Sequence, residues 1–246
     1  MPALYFDRNQ LGKTFQPTGW QCVVFNEFES TLDNSIRPFP CVFGVNGLRL
    51  NQLRFAFSEE MDATQIAPAL DHFVKNSRSF GPNTSLVIFL KPRPVESIES
   101  YERKFWDLIS SLSELDSHAW PKHIPHEVNQ PMWEFCFAGE PIFVVCNTPA
   151  HVLRLSRRST SFMITFQPRW VFDHILGNPK IVEKSFGKVR ERLQKFDMLP
   201  PSPHLGAYGK QEVREFRQYF LLDDERPTSC PFHSLADKPD EGSEVA

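Results

Sequence analysis

The feature that most constrains the fold is a short, continuous apolar run, Leu86–Leu90, which stands between two helical patterns. A run of this length, bounded by turn residues, is typical of a central strand in a sheet. Amphipathic patterns with one apolar stripe precede it over Asp62–Ser79 and follow it over Glu96–Leu115. The chain is therefore expected to build a sheet against which helices pack.

Further strand and helix patterns alternate along the chain. Trp133–Phe137 and Ile142–Cys146 flank Ala-Gly-Glu-Pro and predict a β-hairpin. Strands are also predicted over Leu53–Phe57 and Phe162–Phe166. Helical spacing or helix-start residues predict helices over Trp20–Ser30, Thr148–Arg158, Trp170–Leu176, Ile181–Phe196 and Glu212–Leu221. This mixture, with a hairpin among interleaved helices, predicts an α+β domain with a mixed β-sheet flanked by helices.

Two segments are predicted to be irregular. Arg37–Gly44 contains two prolines, so it is expected to be an extended loop that leads into a turn at Asn46–Gly47. Trp120–Pro131 contains three prolines and two histidines among mostly polar neighbours. A long irregular loop inside a compact domain is often functional.

The predicted organisation is a polar N-terminal arm over residues 1–19, one α+β domain over residues 20–235, and a disordered acidic tail over residues 236–246. A chain of 246 residues that is 41% hydrophobic can bury a sizeable core. Its 23 phenylalanines favour a thick core or an apolar ligand pocket.

Composition excludes several classes of function. A net charge of −3 argues against nucleic acid as a primary partner. The chain has no apolar run long enough for a membrane span and no apolar core in Met1–Lys13, so a cytoplasmic protein without a membrane partner is expected. Five widely spaced cysteines without a CxxC pair indicate reduced thiols. Phosphate-loop, GxGxxG, HExxH and GxSxG motifs are all absent.

One group of candidate metal ligands lies in and just before the proline-rich loop. It comprises His118, His123, His126 and Glu127. Neutral imidazoles bind zinc and non-haem iron, but this spacing matches no standard metal pattern. Histidines on the surface of a loop are the alternative interpretation.

A second group lies on the predicted helix Thr148–Arg158. His151, Arg154 and Arg158 fall at i, i+3 and i+7 and would share one helical face, with Arg157 beside them. Such a face is suited to an anion, and haem fits it, because its iron accepts a neutral imidazole and its propionates accept arginines. A solvated basic face with a structural histidine is the alternative.

Five segments, in this order along the chain, resemble the YqcI/YcgG family. They are Phe39–Gly44, Trp133–Phe143, Pro149–Arg157, Phe166–Phe172 and Cys230–Phe232. Each is short, but their joint order is fairly specific. The amino-acid sequences of these segments most resemble the branch named for the pre-guanitoxin N-hydroxylase. The family includes haem proteins that hydroxylate guanidine nitrogen.

The resemblance implies a haem-dependent N-hydroxylase with haem b, a small guanidine-containing substrate such as arginine or a derivative, and an electron donor. The family's histidine before an Arg-x-x-Arg element falls on His151, which would be the axial ligand. Cys41 is its rival, because a thiolate pushes electron density onto iron. Glu134 and Glu140 are candidates for holding the guanidinium. The alternatives are a non-catalytic haem-binding or haem-sensing protein and a non-haem metal oxygenase.

Overall fold

The computed structural model describes residues 3–172 and 179–228. Six helices named here, α1 to α6, span Arg8–Thr14, Trp20–Leu32, Val42–Arg49, Ala63–Asn76, Ile98–Leu115 and Pro179–Phe196. Five strands, β1 to β5, span Arg54–Ser58, Leu86–Leu90, Cys136–Phe137, Glu140–Asn147 and Met163–Pro168. No helix in the described ranges combines the length and the hydropathy that a membrane span requires.

The strands form one mixed sheet in the order β1-β2-β5-β4-β3. β1 and β2 are parallel, whereas the β2–β5, β5–β4 and β4–β3 pairs are antiparallel. β2 lies inside the sheet, and all five of its residues are buried. The predicted α+β domain with a mixed sheet is therefore confirmed, as are the central strand and the hairpin.

Helices cover both faces of the sheet because side chains alternate along each strand. On the first face, α4 and α5 pack against residues that include Ile88, Val144 and Ile164. On the second face, α1, α2 and α3 pack against Phe55 and Phe89. The N-terminal segment belongs to this second layer, since Phe6 pairs with Phe55 and Leu11 is buried.

The predicted turn at Asn46–Gly47 is wrong, because both residues lie inside α3. The helix begins at once after the prolines, with Cys41 as its N-cap and the Cys41 Sγ accepting a hydrogen bond from the Gly44 N–H. A Cβ on Gly47 would lie 2.4 Å from the Asn83 carbonyl oxygen. Glycine is required there because the helix packs closely on the loop before β2.

The predicted helix over Thr148–Arg158 is also wrong. This stretch is extended and turned, with a single 3₁₀ turn at Leu155–Arg157. The Asp223 carboxylate accepts hydrogen bonds of 2.5–2.8 Å from the backbone N–H groups of Val152, Leu153 and Arg154. A distant side chain therefore satisfies the backbone donors that a helix would have paired internally.

The predicted helix over Glu212–Leu221 is reduced to a 3₁₀ turn at Glu215–Gln218. The consecutive residues Tyr219, Phe220, Leu221 and Leu222 are all buried, which a helix on the surface of the domain would not allow. The predicted helix Trp170–Leu176 lies partly outside the described residues, and the acidic tail and Cys230 lie wholly outside them.

Candidate active site

A cavity of about 320 Å³ lies on the second face of the sheet. Alternate residues of β4 and β5 line it, namely Phe143, Val145, Asn147, Met163, Thr165 and Gln167. Residues of α2, α3 and α6 also line it, among them Phe28, Phe43 and Leu193. Its size and mostly apolar lining are typical of a site for a small molecule or cofactor.

Cys41 lines this cavity at the start of α3. Burial raises the pKa of the Cys41 thiol, and the positive charge of Arg157 opposes that shift. A thiol beside an arginine, in an apolar cavity, can bind a metal ion as the thiolate, because coordination removes the proton.

His151 is fully buried but is not among the residues that line the cavity. Its Nε2 lies 2.7 Å from the Leu221 carbonyl oxygen, to which it donates. Its Nδ1 lies 2.9 Å from the Thr148 hydroxyl, which donates to it, since the ring is then neutral. Both ring nitrogens are therefore occupied, as a structural histidine requires.

Burial lowers the pKa of His151 to about 4. The unfolded chain then takes up a proton at higher pH than the folded chain, so stability is complete above about pH 6.5 and is lost as the pH falls toward 4. We expect this histidine to contribute a loss of about 3 kcal/mol over that window. Urea unfolding of the wild type and His151→Gln measures it. The variant should lack this part of the pH dependence, whereas the exposed-loop control His123→Gln should retain it, and equal slopes in all three proteins would contradict the assignment.

Three arginines near His151 line the cavity, but two are held by backbone carbonyls. Arg154 donates to the carbonyls of Pro200, Leu222 and Asp224 at 2.7–3.1 Å. Arg157 donates to the carbonyls of Gln218 and Tyr219.

Burial lowers the pKa of Arg157 to about 10, so this guanidinium still carries its charge at neutral pH. Arg158 is exposed, and among the described residues its guanidinium donates to the His151 carbonyl oxygen at 3.2 Å. Carbonyls neutralise no charge and Asp197 offsets only part of it, so the three arginines leave this part of the cavity lining net positive. Arg158 keeps unused donors among the described residues.

The carboxylates selected from the sequence lie elsewhere. Glu134 is fully buried and accepts a bidentate pair from Arg169, with distances of 2.7 and 2.5 Å. Arg169 also pairs with the buried Glu215. Glu140 lies outside the cavity and contacts Arg78 at 3.3 Å. The structure thus brings Glu134 near the cavity wall through Arg169 and does not bring Glu140 to it.

The histidine loop does not assemble a metal site within the described residues, where no group of three or more potential ligands occurs. His118 Nδ1 lies 2.9 Å from a carboxylate oxygen of Asp116, and the His126 ring lies 5.5 Å from that of Trp120. These are contacts of a structured surface loop.

The sequence model of the YqcI/YcgG family matches residues 28–233. The chain belongs to this family. Two relatives from Bacillus subtilis, YcgG and YqcI, are each 42% identical to it over 225 and 226 residues, which is 88% of this chain and 89% of each relative, and both are described as uncharacterised. A Streptomyces lavendulae relative, named "Putative N(omega)-hydroxy-L-arginine synthase DcsA", is 30% identical over 226 residues, 87% of this chain and 84% of its own. No solved structure matches the chain.

In this YqcI/YcgG protein, sequence reasoning did not single out two charged residues of the cavity wall, Arg169 and Glu215. Arg169 follows β5 within the segment Phe166–Phe172, and Tyr208 covers its guanidinium at 4.0 Å from the ring centroid. The position of Arg169 directly after a predicted strand is the sequence feature that could have marked it as a site residue. No sequence feature marks Glu215, because its role depends on contacts with residues that are remote in sequence.

Proposed function

We propose that this chain is a haem-dependent N-hydroxylase that adds an oxygen atom to a guanidine nitrogen of an arginine-like small molecule. The observation that carries the proposal is the similarity, over 87% of the chain, to a relative named as an N(omega)-hydroxy-L-arginine synthase. The cavity supports it, since its lining joins a thiol, several arginines and many apolar side chains in one place.

The residues that line the cavity fit haem b through Cys41 rather than through His151. His151 could bind iron only by giving up a hydrogen bond in a fully buried position, which costs free energy. Cys41 already lines the cavity, and its Sγ accepts from backbone N–H groups at the start of α3, with Gly44 N at 3.4 Å. We therefore propose Cys41 as the axial ligand.

Bound haem would supply the iron centre at which dioxygen or peroxide is activated. The net reaction replaces one guanidine N–H by N–OH. With dioxygen, the second oxygen atom leaves as water, which requires two electrons and two protons from an electron donor. The protein's own part is to orient the substrate and to exclude water with the apolar residues of the cavity lining. Arg157 and Arg158 would hold anionic groups of the ligands in place.

The test of this function uses the purified full chain. We expect a Soret absorption band, haem that acid–butanone extracts, and oxygen consumption that requires both a reductant and L-arginine. Mass spectrometry should find a product heavier than arginine by one oxygen atom. A haem-loaded protein that turns over no guanidine compound would instead be a haem-binding or haem-sensing protein. Iron without haem would indicate a non-haem oxygenase.

Arg158 provides a test of how the cavity holds an anionic group of the cofactor. Because it has unused donors, Arg158→Ala should weaken haem binding by about 10- to 150-fold, the effect of one charge-assisted contact. Haem titration followed by absorbance measures it. The control Arg78→Ala removes an exposed arginine outside the cavity and should leave haem affinity unchanged. Equal affinities in both variants would place Arg158 on the solvated surface.

A further inference from the structure

The charged residues of the cavity lining include two groups of opposite net charge. One group is Arg154, Arg157 and Arg158, with Asp197 beside the first two. The other is Glu215 and Arg169, and Arg169 also pairs with Glu134. Gln218 connects the two groups, since its carbonyl accepts from Arg157 at 2.9 Å and its side-chain amide donates to Glu215 at 3.1 Å.

Glu215 is held by less positive charge than its burial requires. It is 3% exposed, and in the described part of the chain the cation that pairs with it is Arg169. Arg169 uses two nitrogens on Glu134, and one of these is shared with Glu215. A buried carboxylate needs a closely paired cation, so a second cation in the cavity would be stabilised beside Glu215.

Glu134, Glu215 and Arg169 together carry one net negative charge when both carboxylates are ionised. The two carboxylates act to raise the pKa of Tyr208, which also lines the cavity, although burial is the larger cause and Arg169 opposes them. A net negative group of this kind favours a second cation beside it.

The other carboxylates among the described residues that line the cavity are less suited to a cationic ligand. Both oxygens of Asp197 accept hydrogen bonds from Ser156, and Arg154 and Arg157 act on it electrostatically. Glu27 is exposed and accepts a hydrogen bond from the Thr160 N–H.

We infer that Glu215 is the residue that binds the guanidinium of the substrate and so selects a cationic guanidine over a neutral analogue. The inference rests on the proposed function and adds a specificity residue to it. Each Glu215 oxygen has one described donor and can accept another hydrogen bond. Phe143 and Phe172 line the same cavity as an edge-to-face pair, and Phe172 already lies 5.4 Å from the Arg169 guanidinium, so this wall is of a kind that attracts planar cations.

The test is direct binding, measured by isothermal titration with L-arginine and with L-citrulline, which carries a neutral urea in place of the guanidinium. Glu215→Gln should weaken arginine binding by about 10-fold or more and change citrulline binding by less than about 2-fold. The control Glu27→Gln removes the same charge elsewhere in the cavity lining and should leave both affinities unchanged. Thermal unfolding verifies that each variant is folded.

Glu215→Asp keeps the charge but withdraws it by one methylene, so a smaller loss of arginine affinity is expected even if Glu215→Gln does not fold. Unchanged arginine affinity in a folded Glu215 variant, or an equal loss in Glu27→Gln, would overturn the inference. If the wild type nevertheless hydroxylates arginine, the proposed function stands without it. If Glu215→Gln no longer distinguishes arginine from citrulline but the wild type hydroxylates neither, the binding role of Glu215 is supported and the proposed reaction is refuted. If the wild type binds neither compound, both proposals are refuted.

Discussion

Arg169→Ala is expected to lower the free energy of unfolding by about 3–5 kcal/mol, because it removes the cation between two buried carboxylates. Glu134 is fully buried and Glu215 nearly so, and neither can recover its hydration in the folded state. Urea unfolding at neutral pH measures the loss. The control Arg78→Ala breaks a 3.3 Å pair with Glu140 at an exposed site and should cost less than about 1 kcal/mol.

The pH dependence of that loss gives a second check. Burial raises the pKa of Glu215, and Arg169 opposes the shift. Without Arg169, the pKa of Glu215 in the folded protein rises further above its pKa in the unfolded chain. The free energy of unfolding of this variant therefore falls as the pH rises. The deficit of Arg169→Ala should therefore be larger at about pH 8 than at about pH 5. A deficit that is independent of pH, or no larger than that of Arg78→Ala, would contradict the buried network.

Cys41→Ser is expected to remove the Soret band of a thiolate complex and to lower turnover by at least about 100-fold, since the proposed iron ligand is lost. Serine is the sharpest substitution because it is a good N-cap, so α3 should keep its start. Stability should change little, by about 1 kcal/mol or less. The absorption spectrum, the haem content and the product assay on one preparation measure these effects.

Cys22→Ser is the matched control, because Cys22 is buried on α2 and is not among the residues that line the cavity. It should retain the spectrum and the turnover. His151→Gln separates the two candidate ligands and should also retain the band. If Cys41→Ser keeps the band and the turnover while His151→Gln loses both, the ligand is the histidine and the assignment to Cys41 is wrong.

The sequence predicted most of the sheet because strands depend on local patterns. Local patterns alone predicted three elements, namely the buried strand Leu86–Leu90, the hairpin of β3 and β4, and helix α5. The patterns were continuous apolar runs, apolar stripes at helical spacing and turn residues. The stretch after Thr148 failed because Asp223, about 70 residues further along, accepts its N–H groups. A cap and a proline start a helix only when no distant acceptor competes for its donors.

The candidate site was predictable only in part, for a similar reason. Cys41 and Arg158 were selected from short motifs, and the structure places both in the cavity lining. The Arg169 pairs span 35 and 46 residues, so no local window contains both members. His151 was interpreted as a ligand, but its neighbours Thr148 and Leu221 occupy its nitrogens, and only the three-dimensional structure shows the second of them.

The backbone contacts made by Arg154 and Arg157 have a consequence for biosynthesis. The carbonyls that they bind belong to residues between Pro200 and Asp224, and the cavity wall includes Glu215 and Gln218 from the same stretch. These residues leave the ribosome after the whole sheet has been made. A nascent chain can therefore form its sheet before it can close the cavity, and a tightly held ligand is acquired only after residues 200–224 have been made.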